Sequence, residues 1–303
     1  MLRWSNWCRS TSCSMAAAAA LLLIATAPAS AHAGPGADRD HHGHDHGVVR
    51  AALPPGAVGH IFVIELENED ASTTFGPGSP ATFLNGTLLK QGELLENYYA
   101  TGHASLDNYI AQISGQAPTE ETSADCLGPG TTLNTLIGSY DDLLPGNLDP
   151  NQQLYPGQVG GHGCIYPAPV QTIGNQLDRL YPPNRFTHVA AWRDYDEDMG
   201  NQPTGRELGT PDPLGGLDCA HPALNGDDLT NTAETGDQYA DRHAPFVYFH
   251  SIIDDQARCD AHVVPLGVVQ INPVGPDVFT GPFSHDLQKE ETTPAFMFVT
   301  PNL

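Results

Sequence analysis

Residues 60–68 read "HIFVIELEN", and this segment is the clearest guide to the fold. Ile61, Phe62, Val63 and Ile64 form a continuous, β-rich apolar run. Such a run is typical of a strand that is buried on both faces of a parallel sheet. Polar residues follow at once, with Glu67 and Asn68 just beyond the strand. In open α/β sheets, ligands bind beyond the carboxyl ends of the strands, so these two residues lie where a site is expected.

Further apolar segments alternate with helical patterns along the chain. We predict strands in "ELLENYY" (93–99), "RFTHVAAW" (185–192), "APFVYFHSII" (244–253) and "PAFMFVT" (294–300), and helices within 80–92, 105–114 and 170–181. The last helix would place Val170, Ile173, Leu177 and Leu180 on one face. Gly- and Pro-rich stretches at 116–170 and 194–234 are predicted as long loops. This alternation predicts an α/β fold with a mainly parallel central sheet flanked by helices.

The N-terminal part of the chain is predicted to lie outside this fold. Arg3 and Arg9 precede the apolar stretch "AAAAALLLIATA" (16–27), and small residues ending at Ala31 or Ala33 offer a cleavage site. We therefore interpret residues 1–33 as a signal peptide of a secreted protein. Residues 34–58, with their "HHGHDHG" run, have the composition of a His/Gly/Pro-rich linker, and 59–303 form the predicted domain.

Four cysteines remain after such a cleavage, at positions 126, 164, 219 and 259. An even number in an exported chain indicates two disulfides, and four cysteines allow three connectivities. We favour Cys126–Cys164 with Cys219–Cys259, because each bond would close a local, loop-rich segment.

The charge of the predicted mature chain is strongly negative. Removing residues 1–33 takes away two arginines and no acid, so ten basic residues remain against 36 acidic ones, a net charge of −26. Such a field repels nucleic acid and anionic membrane surfaces. We expect a monomer without stable membrane insertion. A phosphate-bearing substrate would also need a local positive element, such as a metal.

Two local patterns offer chemistry, and each has a simpler interpretation. Glu67 and Asn68 supply oxygen ligands for a divalent cation, although a polar exit from a strand is the commoner reason for such residues. Ser105 begins the predicted helix 105–114, two residues after His103. Spacing alone favours Ser105 as a helix N-cap. The alternative is a hydroxyl directed at an anion that the helix N-terminus holds.

"HIFVIELENEDASTTFG" followed by "LENYYATGHASLDNYIAQISG" resembles the opening of the secreted phosphoesterases that include acid phosphatases and bacterial phospholipases C, within the alkaline phosphatase superfamily. "RFTHVAAWRDYDEDMG", "APFVYFHSIID", "HVVPL" and "TPAFMFVTPNL" match further segments in order, so the resemblance covers roughly residues 59–303. It implies Glu67, Asn68 and Ser105 as metal ligands, Ser105 as the nucleophile and Asn108 as a phosphate contact. His103 is a catalytic candidate by its position, since it could orient the hydroxyl of Ser105, but it could also simply satisfy a backbone group.

The resemblance implies a metal-dependent phosphoric ester hydrolase with a phosphoserine intermediate and a divalent ion such as zinc or calcium. Members of the family carry further aspartate and histidine ligands after the "TPN" strand, so we expect a C-terminally incomplete fold. Asp254 and Asp255 are weak candidates for the missing ligands, and "DYDED" (194–198) is interpreted as a solvated loop. The alternative function is an inactive fragment that acts as a secreted phosphate- or metal-binding protein.

Overall fold

The structure is a computed structural model that describes residues 19–24, 58–128, 136–145, 156–182, 190–201, 207–212, 214–270, 272 and 274–302. Its strands are β1 (Ala19–Ile24), β2 (Ile61–Leu66), β3 (Gly138–Ser139), β4 (Leu144–Pro145), β5 (Gly161–His162), β6 (Trp192–Asp196), β7 (Leu208–Pro211), β8 (Leu217–His221), β9 (Asp227–Asp228), β10 (Val263–Pro265), β11 (Val268–Gln270), β12 (Val278–Thr280) and β13 (Phe296–Thr300). Its α-helices are α1 (Ala71–Phe75), α2 (Thr82–Gly86), α3 (Ser105–Ser114), α4 (Ile173–Leu180), α5 (His250–Ile253), α6 (Gln256–His262) and α7 (Pro282–Asp286). Short 3-10 helices lie at Leu88–Lys90, Thr122–Ala124, Asp241–His243, Pro245–Tyr248 and Glu290–Thr292.

The central sheet has the strand order β1-β2-β13-β6-β10. β2, β13, β6 and β10 are parallel to one another, and Phe296 of β13 pairs with Ile61 on one side and Trp192 on the other. All five residues of β13 are buried, which explains why its sequence is continuously apolar up to Thr300. The predicted α/β class and the strands at residues 60–68 and 294–300 are confirmed.

β1 pairs antiparallel with β2 and lies within the segment interpreted as a signal peptide. β1 thus forms the edge strand of the sheet beside β2. The rest of that segment and the linker up to residue 57 lie outside the described residues, so the interpretation of residues 1–58 stays a prediction. No helix in the described part of the chain is long and apolar enough to cross a membrane.

α3 packs its apolar face on the sheet and forms the centre of the core. Leu106, Tyr109, Ile110 and Ile113 are all buried, as the i, i+3, i+4, i+7 spacing predicts. Tyr109 meets the ring of Phe298 from β13 edge to face, with centroids 5.9 Å apart. Burial of an aliphatic side chain such as Leu106, Ile110 or Ile113 stabilises the fold by roughly 1.5–3 kcal/mol. This packing fixes the start of α3 relative to the sheet.

Both predicted disulfides are present. Cys126–Cys164 closes a separation of 38 residues, and Cys219–Cys259 closes one of 40. All four cysteines are buried. They connect loops and short elements around the sheet, in line with the expectation that each bond closes a local segment. Two disulfides are compatible with a protein from an oxidising compartment.

Several predicted elements are wrong. The segment 244–253 is not a strand: it folds as the 3-10 helix Pro245–Tyr248 and then α5. A continuous apolar run does not distinguish a strand from a buried helix, because it has no clear periodicity. Pro245 lies at the first helical position, where proline is favoured. Residues 93–99 form no strand and are exposed, so this segment lacks a partner in the sheet. Leu180 is exposed at the end of α4 instead of lying on its buried face.

The sixth strand is displaced relative to its prediction. Residues 185–189 lie outside the described residues, and β6 begins at Trp192 and runs through Asp196. The first three residues of "DYDED" are therefore buried strand residues, and the interpretation of 194–198 as a solvated loop is wrong at these positions. The segment 194–234, predicted as a loop, also contains the short strands β7, β8 and β9. Hydropathy fails here because carboxyl groups occupy buried positions.

Candidate functional site

A cavity of about 300 Å³ opens beyond the carboxyl end of β2. Its lining includes Glu67 and Asn68, which follow β2, and His103, Ser105 and Asn108, which begin α3 or directly precede it. The structure thus brings together the five site residues that the sequence predicts from two separate segments. They meet because the core packing of α3 aims its first turn at this edge of the sheet.

Ser105 is the first residue of α3 and is not its N-cap. Ala104 is the N-cap, with extended backbone angles and no capping side chain. The Oγ of Ser105 instead donates towards Glu67, at 3.3 Å from Oε1 and 3.2 Å from Oε2. The interpretation of Ser105 as a mere cap is therefore wrong, because its hydroxyl faces a carboxylate and not the backbone of its own helix.

The capping role is filled from a distant loop. Asp125 Oδ1 accepts the backbone N–H of Leu106 at 2.9 Å. Asp125 and Cys126 both have left-handed backbone angles, with φ of 54° and 55°, and the disulfide from Cys126 follows directly. A carboxylate at a helix N-terminus also interacts favourably with the helix dipole. An anion already occupies part of this terminus, so the expected anion site on the backbone N–H groups of α3 is at least partly filled.

Glu67 is the centre of the site, and its side chain is 22% exposed. Besides Ser105, it contacts the hydroxyl of Tyr109, which donates to Oε2 at 3.2 Å, and His243, whose Nε2 lies 3.3 Å from Oε1. Burial raises the pKa of Glu67, but the contacts with His243 and with the two hydroxyls outweigh it, so the pKa is lowered overall. Glu67 is therefore ionised at neutral pH, and the hydroxyls of Ser105 and Tyr109 stabilise its negative charge.

His243 is the residue of this site that the sequence analysis missed. It ends the 3-10 helix Asp241–His243, and only 4% of the residue is exposed. Its ring lies 5.4 Å from that of Tyr109, centroid to centroid, and its carbonyl accepts the hydroxyl of Thr300 at 3.2 Å. A histidine directly before the buried run 244–253 was the available signal.

Asn108 organises the turn that leads into Ser105. Its Oδ1 accepts the backbone N–H of Thr101 at 2.7 Å, and its Nδ2 donates to the carbonyl of Ala104 at 2.6 Å. Both ends of the amide thus hold the chain that precedes α3. In this geometry Asn108 positions the nucleophile candidate, while its role as a phosphate contact stays a prediction. His103 is exposed at the rim of the same cavity.

Two buried carboxyl groups, at Glu65 and Asp107, neighbour the site residues Glu67 and Asn108 in the chain. Burial, together with the negative charge of Glu67, raises the pKa of Glu65 to about 7, although Gln112 opposes the shift. Burial also raises the pKa of Asp107 to about 6. A Cβ on Gly102 would lie only 1.8 Å from Oδ2 of Asp107. The glycine of the "ATGH" turn is therefore needed for space.

The carboxyl ends of β6 and β13 also carry polar residues. Asn302, after β13, donates its backbone N–H to Glu197 at 3.0 Å and its amide to Asp198 at 2.7 Å. Asp254 pairs with His250 at 2.7 Å and Asp255 accepts a backbone N–H at the start of α6. Neither of these last two aspartates lines the cavity of Glu67, and the suggestion that they reach this site gains no support.

The oxygen atoms of this site provide only some of the ligands that a hard cation requires. Glu67 offers an ionised carboxylate, Asn68 an amide oxygen and Ser105 a hydroxyl, which are oxygen ligands of the kind that magnesium and calcium prefer. Within the described ranges, no group of three or more His, Cys, Asp or Glu residues is arranged to hold a metal ion. A cation here would therefore keep several coordination positions for water or for substrate oxygens, as magnesium commonly does.

No family model, curated protein or solved structure matches the chain in the comparisons made with each.

Proposed function

We propose that the protein is a secreted phosphoric ester hydrolase that uses a divalent metal ion and acts through a phosphoserine formed on Ser105. The observation that carries this proposal is the contact between the hydroxyl of Ser105 and the ionised Glu67, 3.2–3.3 Å apart at the rim of a cavity. A nucleophilic serine must be placed on rigid structure, exposed to substrate and activated by a neighbouring group. Ser105 meets the first two conditions.

The lowered pKa of Glu67 bears on the third condition. A carboxylate that is stabilised in its charged form is a weak proton acceptor, so Glu67 is poorly suited to act as a general base for a serine. It is well suited to anchor a cation together with Asn68 and Ser105. A bound divalent ion would supply the positive charge that lowers the pKa of the serine hydroxyl and neutralises phosphoryl oxygens.

The chain's own residues would then divide the work. The Oγ of Ser105 forms the new bond to phosphorus while the bond to the ester oxygen breaks, and water later hydrolyses the phosphoserine. Asn108 fixes the turn that aims Ser105, through its bonds to Thr101 and Ala104. Preference for monoesters, as in acid phosphatases, or for phospholipid diesters stays open.

The test is hydrolysis of an aryl phosphate and of an aryl phosphodiester after chelation and re-addition of zinc, calcium or magnesium. Ser105→Ala and Ser105→Asp should lower turnover by several orders of magnitude while both variants still fold, which circular dichroism would show. Ser114→Ala is the matched control, because Ser114 lies at the other end of the same helix, where its hydroxyl donates to the carbonyl of Ile110 at 2.6 Å and accepts the backbone N–H of Gln116 at 3.2 Å. Near-normal turnover in Ser105→Asp would refute the proposal.

A second candidate function is a secreted phosphate- or metal-binding protein without turnover. It is favoured by one observation: the pKa of Glu67 is lowered, so this carboxylate is a weak base that could help to hold a cation beside Ser105 without activating the serine. Equilibrium dialysis with inorganic phosphate, with and without metal, separates the two candidates. Binding that depends on Glu67, in a protein that shows no turnover under any metal, would favour this second function.

A further inference from the structure

A second cavity, of about 400 Å³, lies at the opposite end of the sheet from Ser105. Arg193 at the start of β6 and Pro294 just before β13 line it, so it opens at the amino ends of these strands. Its wall also carries four carboxylates, at Asp212, Asp218, Asp260 and Asp286, besides the apolar side chains of Leu214, Val264 and Pro282. None of these residues belongs to the cavity of Glu67.

One of the four carboxylates is already neutralised by the protein. Asp286 Oδ2 accepts from Arg193 and, at 2.6 Å, from the hydroxyl of Tyr195. Arg193 also donates its Nε to the carbonyl of Ala261 at 3.1 Å. The only arginine in the wall is thus committed to Asp286 and the backbone. His285, 3.4 Å from Asp286 Oδ1, is mostly exposed at the rim. The charge of Arg193 also lowers the pKa of Asp218 in part, but the described lining residues include no second arginine or lysine to offset Asp212 and Asp260.

Asp218 is the side chain that points to a missing ligand. Only 8% of the residue is exposed, and its Oδ1 has no hydrogen-bond donor among the described residues. Oδ2 of Asp212 also lacks a donor there. Burial, followed by the charge of Asp212, a side-chain hydrogen bond with Asp212 and the charge of Asp260, raises the pKa of Asp218 to about 8. A buried carboxylate without donors is costly, so either a proton shared with Asp212 or an external donor must satisfy it.

We propose that this cavity binds a small organic cation, with a primary ammonium group held by Asp212, Asp218 and Asp260 and an aliphatic body against Leu214, Val264 and Pro282. Unsatisfied acceptor oxygens require N–H donors, which a primary ammonium supplies and a quaternary one does not. A bare metal ion would leave the apolar side chains of Leu214, Val264 and Pro282 without a contact. The apolar part of the wall suits a hydrocarbon chain.

Isothermal titration of the whole purified protein with n-butylamine tests the proposal, with tetramethylammonium and sodium chloride at equal ionic strength as comparisons. We expect saturable binding of n-butylamine alone. The affinity should rise as the pH passes through about 8, because Asp218 then ionises while an alkylammonium, like a lysine side chain with its pKa of about 10.4, stays charged.

Asp218→Asn should weaken binding of n-butylamine at least tenfold, and Asp260→Asn several-fold. Asp227→Asn, at an exposed aspartate of β9, is the control and should leave it unchanged. If Asp218→Asn does not fold, the affinity of Asp260→Asn for n-butylamine still tests the proposal. The proposal would be overturned by equal heats from tetramethylammonium, by no binding of n-butylamine at any pH, or by no effect of either lining substitution. A proton shared between Asp212 and Asp218 would then account for the carboxylate oxygens that lack a donor. None of these results depends on phosphatase activity.

Discussion

Removing the disulfide Cys126–Cys164 should weaken both the fold and the start of α3. Cys126 directly follows Asp125, whose carboxylate accepts the backbone N–H of Leu106 at 2.9 Å. The bond ties this turn to Cys164, which is fully buried. We therefore consider the double substitution Cys126→Ala with Cys164→Ala, which leaves no unpaired thiol.

The expected loss follows from the separation of 38 residues that the bond closes. The loop-closure entropy that such a link removes from the unfolded chain corresponds to about 4 kcal/mol at 25 °C. That is a large part of the 5–15 kcal/mol that typical domains possess. The slope of the free energy against denaturant should also rise, since the unlinked unfolded chain exposes more surface.

Equilibrium unfolding in urea at constant pH, followed by the fluorescence of the buried Trp192, measures this loss. The matched control is Cys219→Ala with Cys259→Ala, whose bond closes 40 residues. Both variants should lose similar stability, but only the first should speed amide hydrogen exchange in the first turn of α3. A loss below about 1 kcal/mol, or the same exchange change in both variants, would refute the reasoning.

Two further substitutions probe buried carboxyl groups. Gly102→Ala places a Cβ 1.8 Å from the carboxylate of Asp107, so urea unfolding should show a loss of stability of roughly 1–3 kcal/mol. Gly92→Ala is the control and should change little, because the nearest atom there is 3.7 Å away. Equal losses in the two variants would contradict the predicted clash. Burial raises the pKa of Asp196 well above its ordinary value, so its contribution to stability is fully present below about pH 4 and is lost as the pH rises through the folded-state pKa. In Asp196→Asn the thermal midpoint should therefore decrease less as the pH rises, whereas the exposed control Asp227→Asn should behave like the unsubstituted protein. An unchanged pH dependence in Asp196→Asn would show that burial of Asp196 does not cause the decrease.

The parts of the fold that sequence predicted well are those with a clear local pattern. β2 and β13 are continuous apolar runs, and α3 has one apolar stripe that ends at Gly115, which adopts a left-handed conformation suited to a helix C-cap. The disulfide pairing was also predictable, because each bond joins cysteines that are close in the chain.

The errors share a physical cause, which is that burial was judged from hydropathy. Asp194 and Asp196 are fully buried strand residues, although acidic side chains usually indicate a loop. Conversely, Tyr98 and Tyr99 are exposed although they suggested a strand. Tertiary packing decided these positions, and a single sequence carries no information about it.

The candidate site was predictable in its residues but not in its electrostatics. Glu67 and Ser105 were both identified, yet the sequence could not show that the hydroxyl of one meets the carboxylate of the other. It also did not reveal His243, because this residue joins them from a segment more than 130 positions further along the chain. A contact between residues so far apart in the chain leaves no local pattern in the sequence.

The occupied N-terminus of α3 changes what the site requires of a substrate. A free helix N-terminus attracts phosphate through its N–H groups and dipole, but Asp125 already accepts from Leu106 there. Glu67 adds a second negative charge beside Ser105, and the chain as a whole is strongly acidic. Arg242, whose Nε lies 3.9 Å from Asp125 Oδ2, offsets part of the charge of Asp125 but not that of Glu67. A phosphate ester would therefore still meet a negative charge beside Ser105 unless a cation is bound. Hydrolysis at Ser105 should consequently depend on added metal at neutral pH, and this dependence follows from the geometry of the first turn of α3.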